Sequence, residues 1–232
     1  GSRKLLKHHG LESLMSMFDD VIEAILSPFT IITDAWDKIV IKIAGKRIAV
    51  LGARGAGKST LLHFLSTGTL NTVNAQTVST ERVASNRLSL QDLKFELKAT
   101  LDVPGGADAK EDWHRLYNTA DYALYLIKAS SIDVSRVQRD LGLAEVWQKA
   151  LKDSGKKAPI LIVIVTHMDK IDGYLTASSA VKGDFRDNFI RVQLEAGLSK
   201  LNTRPKVILG SFDVDSRMKS TVQHLIQVMG SI

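Results

Sequence analysis

The stretch that decides the fold is residues 52–59, which read GARGAGKS. It fits the pattern G-x-x-x-x-G-K-[ST], a loop whose successive backbone N–H groups wrap a phosphate chain. The largely apolar run 47–51 before the loop predicts a buried strand, and residues 60–65 after it predict a helix. Strand, loop and helix in this order predict a nucleoside triphosphate site, because the helix N-terminus adds its positive end to the amides of the loop.

Two side chains inside this loop have expected chemical roles. We expect the Lys58 ammonium to reach the outer phosphates and the Ser59 hydroxyl to hold Mg²⁺. A plain glycine turn with an exposed lysine is the alternative, and the flanking strand and helix argue against it. The nucleotide-binding residues predicted from this stretch are Gly52, Arg54, Gly55, Ala56, Gly57, Lys58, Ser59 and Thr60.

The composition suits one sizeable domain with an appendage, since the chain has 232 residues and 44% of them are hydrophobic. Cysteine is absent, which excludes disulfides and thiolate metal sites and leads us to expect a reducing, cytoplasmic location. No apolar run approaches the roughly 20 residues of a membrane-spanning helix, and we expect no signal peptide.

The net charge of +6 is unevenly distributed along the chain. Residues 1–45 carry five Lys/Arg and six Asp/Glu, whereas the remainder carries 26 and 19. Part of this positive excess is expected to face the phosphates of the ligand, and a basic face toward acidic lipids is an alternative. No motif of interleaved aromatic and basic residues is present, so we expect no nucleic acid partner.

Residues 1–44 are predicted to form a helical extension that precedes the nucleotide domain, residues 45–232. Residues 11–37 contain no Lys or Arg, and Pro28 is expected to open a second helical piece. The apolar face of this acidic helix either packs on the domain or docks on a protein partner or a membrane surface, and the missing basic residues argue against anionic lipid as its main target. The apolar positions at helical spacing are Leu11, Leu14, Met15, Phe18, Ile22, Ile25 and Leu26.

After Gly45 the pattern alternates between strand and helix, which predicts an α/β sandwich of three layers. The nearly continuous apolar runs 123–127 and 160–165 are typical of a mostly parallel sheet that is covered on both faces. The ligand is expected at the C-terminal ends of the strands. Strands are predicted near 47–51, 82–90, 95–103, 122–127, 160–165 and 206–210, with the second and third joined as a hairpin through Gln91 and Asp92, and helices near 58–66, 134–152, 184–201 and 216–229.

Two further motifs choose among the classes of protein that share the glycine loop. Asp102 and Gly105 form a D-x-x-G at the end of a predicted strand, where Asp102 can meet Mg²⁺ through a water and the Gly105 amide can reach a γ-phosphate. A strand-ending turn is the plain alternative for this short motif. Residues 166–169, which read THMD, directly follow the strand 160–165. The Asp169 carboxylate can accept hydrogen bonds from both N1–H and the exocyclic amine of guanine, a pair that adenine does not offer.

The order of these motifs resembles the Ras-like small GTPase superfamily over about residues 46–230, and the spacings of 50 and 64 residues between motif starts are similar too. Residues 105–108 and 113–117, which read GGAD and WHRLY, resemble the second switch of the branch that contains Arf and the signal-recognition-receptor-β proteins. The resemblance implies a first-switch threonine that binds Mg²⁺, for which Thr80 fits best and Thr77 is the alternative. It also implies that Thr166 and His167 contact the nucleotide and that the Ser211 backbone reaches guanine O6.

Three residues depart from the family pattern. His167 replaces a lysine that lies along the base, which implies weaker guanine binding. Gly106 stands where Ras and Arf proteins carry the glutamine that orients the attacking water. Arg54 replaces a glycine of the loop, where it could crowd an incoming activating residue, act as an arginine finger in cis, or point into solvent.

Because Gly106 offers no side chain, either hydrolysis waits on a partner or another residue of a flexible segment 106–114 substitutes. Large dimerising GTPases also lack the glutamine, which makes a dimer a further hypothesis. The candidate substitutes are Asp108, Glu111 and His114.

These observations together predict a Mg²⁺-dependent G domain that hydrolyses GTP slowly and acts as a molecular switch, with Lys58, Arg54, Gly105 and Gly106 at the reacting phosphate. Partners are expected to bind through the switches and the N-terminal helix, and membrane association is an open alternative. A GTP-binding interaction module that does not hydrolyse is the second hypothesis, suggested by Gly106. An ATPase or small-molecule kinase is the third, suggested only by the shared loop.

Overall fold

The protein is represented by a computed structural model that describes residues 45–67, 70, 86–90, 93–99 and 107–232. The predicted extension 1–44 lies outside the described residues. So do five predicted site residues, which are Thr77, Thr80, Asp102, Gly105 and Gly106.

Six strands and six helices alternate along the described part of the chain. The strands are β1 Arg47–Gly52, β2 Asn86–Leu90, β3 Leu93–Ala99, β4 Tyr122–Lys128, β5 Ile160–Thr166 and β6 Lys206–Leu209. The helices are α1 Lys58–Thr67, α2 Ala107–Thr119, α3 Val134–Asp153, α4 Ser179–Phe189, α5 Glu195–Leu198 and α6 Asp215–Ser231. Short 3₁₀ turns occupy Ala129–Ser131 and Met168–Lys170, and a π-helical turn, Ile190–Leu194, joins α4 to α5.

The strands form one sheet in the order β2-β3-β1-β4-β5-β6, and only β2 runs antiparallel to its neighbour. Leu90 of β2 pairs with Leu93 of β3, so the predicted hairpin is confirmed. The glycine loop leaves β1 at the C-terminal edge of the sheet, between β3 and β4. The chain changes direction across the sheet at this position, which is where open α/β sheets leave a crevice for a ligand.

Two apolar layers enclose the sheet, as the continuous apolar runs predicted. On β4, Leu124 and Leu126 pack toward α1 and α6, whereas Tyr125 and Ile127 pack toward α2, α3 and α5. Successive side chains of a strand point to opposite faces, so a strand buried on both faces has no polar position. Burying each large apolar side chain stabilises the fold by roughly 1.5 to 3 kcal/mol relative to its exposure.

Helix α2 was not among the predicted helices, and it covers most of the segment 106–114 that we expected to be flexible. Trp113 and Tyr117, four residues apart, are both buried on its inner face. Trp113 packs edge-on against Tyr125 with ring centroids 6.3 Å apart. The four-residue spacing of these two aromatic residues is the sequence signal for α2. It was missed because most of the residues around them are polar.

The remaining boundaries that fall on described residues agree with the sequence pattern to within a few residues, except in α4, and the predicted strand ends at 82–85 and 100–103 lie outside the described residues. The predicted helix 184–201 begins earlier, at Ser179, because the Ser178 side chain accepts a hydrogen bond from the Val181 N–H. In the described residues, no helix is both long and apolar enough to cross a membrane.

Candidate functional site

The glycine loop is shaped by close contacts on both of its sides. Gly52 has φ 139°, and a Cβ there would strike the carbonyl oxygen of Leu126 on β4. Gly57 has φ 91°, and a Cβ there would lie 2.8 Å from Cδ2 of Phe212. Both positions need glycine for its backbone conformation and for its lack of a side chain. A side chain at either position would therefore displace the loop from β4 or from Phe212.

Lys58 begins α1 and turns back over the loop. Its side chain is buried, with the residue only 7% exposed. Nζ donates hydrogen bonds to the carbonyl oxygens of Gly52 and Ala53, each at 2.8 Å. The ammonium is thus held at the mouth of the loop by two acceptors, a position from which it can transfer onto phosphate oxygens.

The other loop residues differ in their exposure. Ser59 is exposed in the first turn of α1, beside Lys58, and Thr60 is half-buried. Arg54 is exposed at the turn of the loop. The described residues contain no cluster of three or more His, Asp or Glu that could hold a metal ion.

Thr166 joins the glycine loop to the end of β5. It is buried, and its Oγ1 lies 2.9 Å from the carbonyl oxygen of Ala56 and 3.2 Å from that of Ile127. A hydroxyl has one hydrogen to donate, and the shorter distance favours the Ala56 carbonyl over the Ile127 carbonyl as its acceptor. Although 110 residues separate Thr166 from Ala56 in the chain, this contact places the predicted phosphate loop and the predicted guanine-reading loop side by side.

His167 is held in an unusual backbone conformation directly after Thr166. Its φ of 59° is left-handed, a state that costs a residue with a side chain about 1 to 2 kcal/mol. Nδ1 lies 2.9 Å from Thr166 Oγ1, within hydrogen-bond distance, and the tautomer of the ring sets which of the two groups donates. Burial lowers the pKa of His167, and the positive charge of Lys128 lowers it further. At neutral pH the imidazole is uncharged, so it does not replace the charge of a lysine.

Asp169 and Ser211 are brought to the same edge of the sheet. The Asp169 side chain is 5% exposed, and its Oδ2 lies 3.2 Å from Lys170 Nζ. The two loops that carry Asp169 and Ser211 are bound through backbone groups, since the Met168 N–H donates to the Gly210 carbonyl at 3.2 Å. Ser211 is 3% exposed, and its Oγ has no hydrogen-bond partner among the described residues.

Sequence reasoning gave no role to three residues at this edge. Phe212 packs against Gly57 and closes one side of the glycine loop. Asp213 accepts two hydrogen bonds from Arg217, one of them from Nε at 2.7 Å, and this pairing holds the pKa of Asp213 below its ordinary value. The contact of Phe212 with the glycine loop had a sequence signal, which is an aromatic residue directly after Ser211. The four-residue spacing of Asp213 and Arg217 predicts their ion pair only when the start of α6 is known.

Comparison with known proteins gives one family match. The family model described as "Arf: ADP-ribosylation factor family" matches residues 32–204, well over half of the chain. The match begins upstream of β1, within the predicted extension 1–44, so the boundary near residue 45 stays a prediction. No curated protein matches.

Two solved structures are similar to this chain at low sequence identity. One is the translation elongation factor SelB from Methanococcus maripaludis in complex with the GTP analogue GppNHp, at 14% identity and a TM-score of 0.44. The likeness covers 81% of this chain and 34% of that one. The other is a mutation variant of SsGBP, at 16% identity and a TM-score of 0.48, covering 85% of this chain and 65% of that one. The chain thus spans about a third of the first protein and about two thirds of the second.

Proposed function

The chain belongs to the ADP-ribosylation factor family of Ras-like P-loop GTPases, and from this premise we propose that it hydrolyses GTP to GDP and phosphate slowly and uses the two nucleotide states as a switch. As a member of the family it is a GTP-binding protein with a G domain. The contact of 2.9 Å between Thr166 Oγ1 and the Ala56 carbonyl carries the proposal, because it sets a base-selecting loop beside a phosphate loop.

Different residues are proposed to bind the phosphates, the base and the metal ion. The amides of the glycine loop surround the β-phosphate, and Lys58 exchanges its two carbonyl acceptors for phosphate oxygens. Asp169 selects guanine through two hydrogen bonds, and the Ser211 backbone lies at the same edge. Mg²⁺ would be held by Ser59, by Asp102 through a water and by Thr80, or by Thr77 in its place, and would supply positive charge against the β- and γ-phosphates.

Hydrolysis is proposed to be slow because the chain offers no water-orienting side chain at Gly106. The reaction is an in-line attack of water on the γ-phosphate, with the Gly105 amide and Lys58 stabilising the charge that develops. Arg54 is exposed on the loop, which leaves it free to approach the phosphates or a second protein. An arginine that reaches the transition state raises turnover by about 10³ to 10⁵, so its role is measurable.

The partners belong to the same proposal. We propose a cytoplasmic protein whose switch segments and N-terminal extension meet a protein effector, with membrane association and dimerisation as open alternatives. The exposed Arg54 supports the dimer alternative, since pairing of nucleotide faces would bring it to a second active site.

The deciding experiment compares nucleotide choice and turnover in matched variants. We expect the full chain to prefer GTP and GDP to ATP by about a hundredfold or more, and Asp169→Asn to remove most of that preference. Lys58→Ala should weaken binding of every triphosphate, whereas Lys149→Ala, which changes an exposed lysine of α3, should preserve nucleotide choice. Fluorescent-nucleotide titration and single-turnover phosphate release measure both properties.

The same data separate the two rival functions. The interaction module suggested by Gly106 would be favoured by one result. In that result GTP binds tightly, and phosphate is released no faster than in buffer at both low and high protein concentration. ATP competing equally with GTP, with Asp169→Asn leaving that competition unchanged, would favour an ATPase or kinase.

A further inference from the structure

A second concave site lies at the outer edge of the sheet, away from the glycine loop. It is a cleft of 520 Å³ between α4 and α6, and its floor is β6, the last strand in the sheet order. The residues that carry the argument below are Lys182 and Arg186 of α4 and Val207 and Leu209 of β6.

The floor of the cleft is a strand edge without a neighbour. In the described part of the chain β6 pairs only with β5. The Gly210 N–H, just beyond the strand, donates to the Val165 carbonyl of β5 at 2.9 Å. Backbone groups alternate in direction along a strand, so the amides and carbonyls of Val207 and Leu209 point into the cleft. An open edge of this kind is a template for an added strand.

The walls of the cleft are positively charged. Its lining includes Lys182, Arg186 and Arg217 but no Asp or Glu. Lys182 Nζ lies 5.3 Å from the centre of the Tyr174 ring, a contact that leaves its N–H groups available. Within the described segments, Arg186 forms an ion pair with its exposed neighbour Asp187, at 3.0 Å, and such a surface pair contributes little. Arg217, in contrast, is engaged by Asp213.

The spacing on α4 fits an extended ligand. Lys182 and Arg186 stand one helical turn apart, which is about 6 Å along the axis. Alternate residues of a strand are separated by about 6.6 Å and point to the same side. Two carboxylates at alternate positions of an added strand therefore match the two cations.

We propose that this cleft binds an extended acidic segment of a partner protein, which adds a strand to β6 and places its carboxylates against Lys182 and Arg186. The added strand runs along Val207 and Leu209 and gains affinity from backbone hydrogen bonds, while the α4 cations select for acidic residues at alternate positions. Lys182 and Arg186 are not among the proposed nucleotide-binding residues, so loss of peptide binding with unchanged guanine nucleotide affinity separates this proposal from the proposed GTPase function.

The test uses the full chain and a fluorescein-labelled heptapeptide that alternates glutamate and valine, followed by fluorescence anisotropy. We expect saturable binding that weakens about tenfold or more in the double variant K182E/R186E. The matched control is K149E/K152E, which makes the same change of charge on exposed lysines of α3 and should alter binding less than twofold. Replacing the peptide glutamates by glutamine, or methylating alternate backbone nitrogens, should each cause a similar loss.

Several results would overturn the proposal. They are an absence of saturable binding, equal weakening by both double variants, or undiminished binding of the methylated peptide. Binding that emerges only when the carboxylates of residues 11–37 are neutralised would assign the cleft to the chain's own extension instead. A dimer that dissociates in K182E/R186E would assign it to a second copy. Unchanged circular dichroism and guanine nucleotide affinity in K182E/R186E establish that the variant is folded.

Discussion

At the scale of single residues, the Thr166 hydroxyl is expected to control nucleotide affinity by holding two loops together. Thr166→Val keeps the shape of the side chain but leaves the Ala56 carbonyl without its donor at 2.9 Å. The loss of one buried hydrogen bond, about 1.4 kcal/mol, should weaken guanine nucleotide binding about tenfold in a fluorescent-nucleotide titration. Thr166→Ser, which retains the hydroxyl, should bind within about threefold of the parent, and an equal loss in both variants would contradict this role.

Two histidines are expected to make the stability of the protein depend on pH. Burial lowers the pKa of His167 and of His224, and the charges of Lys128 and Arg186, respectively, lower them further. The unfolded chain then binds more protons than the folded chain below the ordinary value of 6.5. The free energy of unfolding should therefore have its highest value above pH 6.5 and decrease as the pH falls toward the lowered pKa values of the two histidines.

Urea unfolding at a series of pH values measures this effect. The double variant H167N/H224Q should show a smaller fall over the same range, since asparagine tolerates the left-handed backbone at position 167. Parallel pH profiles for the two proteins would show that other groups cause the fall.

At the scale of secondary structure elements, α2 packs against α3 through aromatic rings. Trp147 of α3 packs against Tyr117 and His114 of α2, each at 5.4 Å between ring centroids. Trp147→Ala should cost about 3 to 5 kcal/mol of unfolding free energy and raise hydrogen exchange in α2 more than in α6. The neighbouring substitution Val146→Ala, at a residue 59% exposed, should cost less than about 0.5 kcal/mol. A comparable loss in the two variants would mean that the rings do not anchor α2.

Element boundaries show what local sequence can predict. β4 and β5 were predicted to within one residue at each end, because strands buried on both faces have long apolar runs that no surface element shares. Helix α2 was missed because only its inner face is apolar. Trp113 on that face is buried against Tyr125 of β4, a contact that local sequence does not reveal. The π-helical turn Ile190–Leu194 was likewise not predicted, because no local sequence pattern marks it.

At the scale of the whole molecule, the nucleotide state is expected to change the contacts of the N-terminal extension. The Arf family membership supports a switch whose triphosphate form orders the switch segments and alters where the extension docks. Hydrogen exchange of the full chain with GDP and with a non-hydrolysable GTP analogue should differ in residues 11–37, while β5 stays equally protected as the internal control. Equal protection of residues 11–37 from hydrogen exchange in the two nucleotide states would contradict this prediction.

The sequence by itself determined the phosphate loop, the sheet strands and the guanine-reading Asp169 as a candidate, because each depends on a short local pattern. Only the tertiary structure decided that Thr166 contacts Ala56, that His167 is left-handed and uncharged, and that a basic cleft opens along β6. These features arise between residues far apart in the chain, and the topology of the sheet, rather than any local propensity, brings such residues together.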